Sequence, residues 1–462
     1  MKFGGTSVGS AEALAQAMGI VESNRPNWTH MVVVVSALSG ATNLLLDGAM
    51  QAAQGKPEAY LKAEVALRSR HTAMAEAFLS TGNRQERFRF EMEELISQFS
   101  RFCQAITILG EATPRALDAV AGLGERLSAR LFASALQERG FATEPIDAFD
   151  LIVTDSQYQS AVPDFEASSE KTMNCLQSLF SRGIVPIVTG FIGATPEGIP
   201  TTLGRGGSDY SAAILGTILE ADEVWIWTDV DGVMTADPRF IPEAHTIPEL
   251  TFREVAELAY FGAKVLHPKT IRPVVDKGIG LRVCNTFAPE KPGTFVISER
   301  KKREPGVIRA ITEIRKIQLI TVEGRGMMGV VGVAARTFRA VAETGTSVQL
   351  ISQASSEQSI CFTVPQESSS KVCAALRQEF AAEIARKDID SVWNTGEVVI
   401  ITVVGEGMRN TPGVSGRIFS ALGNKGANVV AIAQGSSEVS ISLVLDARDT
   451  ETTMRTLHSL ID

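Results

Sequence analysis

Apolar runs and helical stretches alternate along the first 295 residues. Runs rich in Val, Ile and Leu at 31–36, 143–147, 184–190, 223–228 and 280–284 predict strands, and a helical stretch follows the first residues at 11–21. Continuous apolar runs suit strands buried on both faces. The alternation therefore predicts a mostly parallel sheet with helices on either side, an αβα sandwich whose ligands sit beyond the carboxyl ends of the strands. Residues 50–110 are helical, polar and rich in Glu, Arg and Gln, and predict a helical insertion with a solvated face. Met1 leaves almost no room for a strand before Lys2, which would leave Lys2 less firmly held.

The pattern changes after 289–305, a Pro-, Gly- and charge-rich stretch that reads as a linker. Beyond it the chain repeats itself at a constant offset of 81 residues: Gly324-Arg325-Gly326-Met327 matches Gly405-Glu406-Gly407-Met408, and Gln353 matches Gln434. Each repeat reads strand, turn, helix, strand, strand, helix, a ferredoxin-like α+β pattern. The second ends without a closing strand, while 307–312 is a spare strand ahead of the first. The spare strand is expected to complete one of the repeats, so that one is nested in the other.

Composition narrows the class. With 44% apolar and 21% charged residues the chain reads as an ordinary globular protein, and a net charge of −9 argues against a nucleic-acid surface. The longest apolar run is far too short to span a membrane. Five scattered cysteines without a CxxC, and histidines without ligand spacing, argue against a disulfide or metal framework; no protein-ligated metal is expected. No signal peptide is visible, and a reducing cytoplasm is the expected compartment.

Chemistry concentrates in two glycine-rich segments. Lys2-Phe3-Gly4-Gly5-Thr6-Ser7 places a cation beside two glycines, and Gly204-Arg205-Gly206-Gly207-Ser208-Asp209 adds a second cation and an acid. Such turns bring backbone N–H groups close to an anion, and a following helix aims its positive end at the same place. Two of them suggest a nucleotide site built from both. Arg205 can fork onto a carboxylate, which a lysine cannot do.

The segments at 2–8, 204–212, 227–239 and 261–268, in that order, resemble aspartate kinases of the amino-acid kinase superfamily, and the repeats resemble paired ACT domains. The resemblance is closest to the aspartokinase portion of bifunctional aspartokinase–homoserine dehydrogenases. It implies an amino-acid kinase fold at 1–295 with the insertion at 50–110, a first ACT domain at 307–394 and a second at 395–462. The implied reaction is transfer of the ATP γ-phosphoryl group to the side-chain carboxylate of L-aspartate, the first step toward threonine, lysine and methionine, with Mg²⁺ on the phosphates. The attacking carboxylate is already ionised, so no general base is needed.

By resemblance, Lys2 and Asp209 are catalytic, and Lys2, Gly4, Gly5, Thr228, Asp229, Arg239 and Lys264 bind the nucleotide. Thr42, Glu125, Phe191, Arg205 and Ser208 bind aspartate, with Arg205 on the α-carboxylate and Glu125 near the α-amino group. Blander roles stay open: Arg239 pairing with Asp237, Glu125 complementing a helix dipole, Thr228 and Asp229 capping a turn. Asp209 holds either Lys2 or the substrate ammonium. Met234 stands where the family often has an aromatic residue.

The ACT resemblance implies feedback by an end-product amino acid, with Gln353 and Gln434 as candidate allosteric residues. Lysine-sensitive relatives have an acid where Gln349 stands here, which favours threonine over lysine as effector. A homodimer or homotetramer through the ACT domains is expected. Bifunctional relatives continue into a dehydrogenase with a GxGxxG fingerprint that is not found here. The chain therefore reads as either a stand-alone kinase or the kinase half, without dehydrogenase activity. Another amino-acid kinase and a non-catalytic amino-acid sensor are the rival readings.

Overall fold

A computed structural model describes residues 1–262, 266–300, 307–354, 356–408, 411–435 and 439–461. The chain forms two compact units, one from 1–233, 246–252 and 265–299, the other from 234–245, 253–264 and 300–462. Two short segments of the first 295 residues thus fold with the repeats.

The first unit is built on an eight-stranded sheet. Its order is Thr143–Ile146, Val185–Thr189, Val33–Val35, Lys2–Phe3, Glu223–Thr228, Gly280–Asn285, Thr294–Ile297 and Glu249–Thr251. The first six run parallel; Thr294–Ile297 is antiparallel to Gly280–Asn285 and parallel to Glu249–Thr251. All five predicted strands are present. Thr294–Ile297 corrects the linker reading of 289–305: Thr-Phe-Val-Ile has strong strand preference, but four residues among prolines and charges give too short a period to notice.

Lys2–Phe3 is only two residues long and still central, with Lys2 opposite Val34 on one side and Ile226 on the other. Phe3 is fully buried and stacks between Phe132 at 5.7 Å and Trp227 at 6.1 Å. Packing on both faces and pairing on both edges hold Lys2 despite the short strand, which corrects the expectation that it would be loosely held. The insertion at 50–110 comprises helices Pro57–Phe78 and Asn83–Leu109, which follow helix Ala41–Ala53. Its outer face is solvated as predicted, while Leu67, Phe88, Ile96 and Phe99 are buried in the same core as Phe3.

The second unit carries a six-stranded antiparallel sheet ordered Leu350–Gln353, Ser359–Pro365, Ala310–Glu323, Ser391–Val404, Ser440–Asp446 and Val429–Ala433. Its two central strands serve both repeats. Residues 317–323 and 391–398 pair within the first repeat, and 310–314 lie along 400–404 within the second. The residues read as a spare strand therefore run on into the first repeat's opening strand, and supply the fourth strand that the second repeat lacks. The first repeat sits inside the second. Among the described residues no helix is long and apolar enough to cross a membrane.

The two segments from the first 295 residues join this unit through its core. Ala236 and Ile241 are buried with Ile401, Val403 and Ile418, and Phe261 is buried with Ile317, Leu319 and Ile400. Thr235 accepts a 2.8 Å hydrogen bond from Ile311 N–H. Glu254 is fully buried and accepts both guanidinium nitrogens of Arg300, at 3.0 and 2.9 Å, as well as Glu406 N–H at 3.0 Å. Removing Glu254 takes away the carboxylate that two guanidinium nitrogens of Arg300 donate to and leaves Glu406 farther off, at 3.9 Å. Glu254→Ala is therefore expected to weaken the second unit by about 3–5 kcal/mol. Amide exchange across 398–404 should accelerate accordingly, and unchanged protection would refute the importance of this pair.

Candidate active site

The loops that follow Phe3, Val35, Thr189 and Thr228 all leave the parallel sheet at the carboxyl ends of its strands, where such folds bind ligands. They enclose a cavity of about 740 Å³. Eleven of the predicted residues line it: Lys2, Gly4, Gly5, Thr42, Glu125, Phe191, Arg205, Ser208, Asp209, Thr228 and Asp229. A larger cavity, about 980 Å³, opens at the other ends of the strands, around Met1, Met31 and Glu223, and gathers none of them.

Lys2 is 8% exposed and its Nζ lies 2.7 Å from Asp209 Oδ1. Asp209 and Ser208 occupy the first turn of helix Gly207–Ile218, which Gly206 caps, so the positive end of that helix faces the cavity beside the lysine. The glycine turn after Phe3 is tied down from behind. Gly4 N–H donates to the Trp227 carbonyl at 3.0 Å, and Thr286 Oγ1 donates to Ser7 Oγ at 2.7 Å. Thr228 ends the neighbouring strand and donates to Asp229 at 3.2 Å. Thr42 stands in the first turn of helix Ala41–Ala53, a second helix end at the cavity. Arg205 is exposed and has no ion pair among the described residues.

Glu125 is 3% exposed, in the first turn of helix Leu123–Glu138. The helix is held by Asp147, which accepts from Arg126 Nε and Arg130 Nη1, each at 2.9 Å. Gly124 lets it approach closely, since a Cβ there would fall 2.8 Å from Ala37 Cβ. Burial pushes the Glu125 carboxyl up to about 7, against the opposing pull of the Ala37 N–H and the Lys2 charge. Its buried Oε2 has no hydrogen-bond partner among the described residues. A carboxylate stripped of water and left one donor short is prepared for a cationic ligand group.

Four predicted residues are not part of this cavity. Arg239 is exposed in the second unit and pairs with Asp237 at 2.5 Å, the blander of its two readings. Lys264 lies outside the described residues. Gln353 ends strand Leu350–Gln353 and Gln434 follows Val429–Ala433, both exposed in the second unit. Conversely, Ser36, Ser39, Asn43, Asp118 and Gln159 line the cavity without having been singled out. Only Asp118 had a signal, an acid inside the otherwise apolar stretch 116–121.

The arrangement has two poles. Lys2, the glycine turn and two helix ends suit an anionic group, and an arginine and a buried carboxylate lining the same cavity suit a zwitterion. Among the described residues no cluster of three metal-ligating side chains is present.

Residues 1–285 match the amino acid kinase family, and 320–380 and 401–460 match the ACT domain. The chain is 39% identical to bifunctional aspartokinase/homoserine dehydrogenase 1, chloroplastic, of Zea mays, over 99% of this chain and 50% of that protein. It therefore spans about half the length of such curated relatives. It is 32% identical to aspartokinase 2, chloroplastic, of Arabidopsis thaliana, over 99% of this chain and 83% of that one. Among solved structures, E. coli aspartokinase III in complex with aspartate and ADP superposes with a TM-score of 0.78 at 31% identity, covering 100% of this chain and 98% of that one. The same enzyme with lysine and aspartate gives a TM-score of 0.80 at the same identity and coverage.

The Glu125 shift has a sign that can be measured. The carboxyl titrates near 7 in the folded chain against an ordinary 4.5, so the folded chain keeps a proton that the unfolded chain has released. The stability this contributes is complete below pH 4.5 and lost as pH rises to 7, an effect of about 3 kcal/mol. Glu125→Gln stays neutral throughout. It is expected to match the wild type in acid and exceed its unfolding free energy by about that amount at pH 8. Parallel stability–pH curves for the two proteins would overturn this.

Proposed function

The chain belongs to the amino acid kinase family and, within it, to the aspartokinases, and from that premise we propose that it phosphorylates the side-chain carboxylate of L-aspartate with ATP. The products are 4-phospho-L-aspartate and ADP. One carboxylate oxygen bonds to the γ-phosphorus while the bond from that phosphorus to the β–γ bridging oxygen breaks, and no proton moves. The observation that carries the reading is the Lys2–Asp209 pair at 2.7 Å, held at the end of a central strand beside a helix N-terminus.

The physical problem is bringing an anionic nucleophile to an anionic triphosphate. Lys2 and the positive end of helix Gly207–Ile218 offset the charge that spreads over the transferring oxygens. Asp209 fixes the ammonium of Lys2 so that little reorganisation is left for the reaction. Arg205 takes the α-carboxylate of aspartate, and Glu125 takes its ammonium with the acceptor that has no partner among the described residues. Thr42, Ser208 and Phe191 line the space between. Gly4, Gly5, Thr228 and Asp229 serve the nucleotide, as do Arg239 and Lys264 in this reading. The carboxylates of Asp209 and Asp229 would accept hydrogen bonds from the waters of a nucleotide-bound Mg²⁺, which would supply charge neutralisation at the phosphates.

The ACT repeats make threonine the proposed effector. Gln353 and Gln434, exposed at equivalent strand ends, present amides rather than charges, and Gln349 offers no anion to a lysine side chain. The proposed assembly is a homodimer or homotetramer. Its support is the pair of edge strands, Leu350–Gln353 and Val429–Ala433, where Ile351, Val430 and Ile432 are exposed. The five cysteines are free, which fits a reducing compartment such as the cytoplasm.

Coupled ADP release with L-aspartate, ATP and Mg²⁺ tests the activity; turnover independent of aspartate would refute it. Lys2→Ala is expected to lower kcat by about 10²–10³ while the protein remains folded. Dose–response curves with threonine and lysine test the effector, and inhibition by lysine alone would remove threonine.

A further inference from the structure

We propose that Asp118 is a positioning residue for the anchor of the substrate α-carboxylate, holding together the two backbone segments that fix the loop carrying Arg205. The proposal rests on the kinase reading of the cavity. Asp118 lies on helix Pro114–Ala121, is 1% exposed and lines the cavity. It has no cation partner among the described residues. Its Oδ2 accepts Gln159 N–H and Thr202 N–H, both at 2.9 Å, and its Oδ1 accepts Thr202 Oγ1–H at 2.8 Å. One carboxylate thus holds two walls of the cavity, the turn at 157–160 and the end of strand Pro200–Thr202.

Arg205 stands on the arch that joins those walls. Leu203 N–H donates to the Phe191 carbonyl and Gly207 N–H to the Gly204 carbonyl, each at 2.9 Å. Gly204 has φ +77°, and a Cβ there would fall 2.9 Å from the Gln159 carbonyl oxygen, so the arch rests directly on the turn that Asp118 holds. Gln159 itself has φ +69°, unusual for a residue with a side chain, and its N–H bond to Asp118 offsets the strain. The exposed guanidinium of Arg205 makes no ion pair among the described residues, so its placement comes from the arch. A buried acid without a cation costs stability, and burial raises its carboxyl above the ordinary range. Its three bonds all go to the supports of Arg205.

The experiment compares Asp118→Ala and Asp118→Asn in the full chain. Asparagine keeps the geometry: its Oδ1 can accept both N–H groups, and its amide can donate to the Thr202 hydroxyl. Alanine is expected to raise KM for aspartate by about tenfold or more while KM for ATP stays within about twofold, and asparagine to recover most of that loss. Hydrogen exchange without substrate gives a second readout. Amides at 158–160 and 202–206 should exchange faster in Asp118→Ala than in Asp118→Asn. If alanine prevents folding, Thr202→Val removes one bond and should raise KM for aspartate by about threefold. Equal losses for alanine and asparagine, a matching rise in KM for ATP, or unaltered exchange would overturn the proposal. A wild type without aspartate-dependent turnover would refute the kinase reading instead, and the exchange measurement would still decide whether Asp118 holds the arch.

Discussion

A lysine ammonium held against an aspartate at the end of a two-residue strand sets the terms for the first unit. Lys2 is nearly buried, and a buried cation is stable only beside an anion with suitable geometry. Asp209 supplies that anion from the first turn of a helix, where a carboxylate is itself favoured by the helix dipole. The strand that delivers the lysine is too short to stand alone. Pairing on both edges and the stack of Phe132, Phe3 and Trp227 give it a fixed position.

Around this pair the cavity is assembled from groups that folding alone would not favour. Among the described residues, Glu125 is buried with an unused acceptor and Asp118 is buried without a cation, and Phe191 and Gln159 hold positive φ angles. Each costs stability, and each lines the cavity that collects eleven of the predicted residues. Local rules are broken where chemistry is to be done, and the rest of the sheet, with its continuous apolar core, compensates.

The second unit follows a different logic. Two fourteen-residue strands run through both repeats, so neither repeat closes its sheet without the other. Segments 234–245 and 253–264 belong to its core, with Ala236, Ile241 and Phe261 buried there and Glu254 paired to Arg300. Arg239, and the described residues leading up to Lys264, are therefore carried by the unit that contains the ACT repeats.

Much of this was legible in the sequence. Buried parallel strands are written as continuous apolar runs, and glycine-rich turns beside a lysine or an arginine mark places suited to anions, because both signals are local. The internal repeat needed only a comparison of the chain with itself, and its missing strand was foreseeable from the count. Strands of two to four residues, Lys2–Phe3, Glu249–Thr251 and Thr294–Ile297, were hidden because so few residues carry no period. Asp118 stood out as an acid in an apolar stretch, but its role was hidden because its partners, Gln159 and Thr202, are distant in sequence and two of its three bonds go to their backbone N–H groups. The sequence by itself determined which residue types were available for the chemistry. The tertiary structure decided which of them meet, since only packing brings Lys2 to Asp209 and strips the water from Glu125.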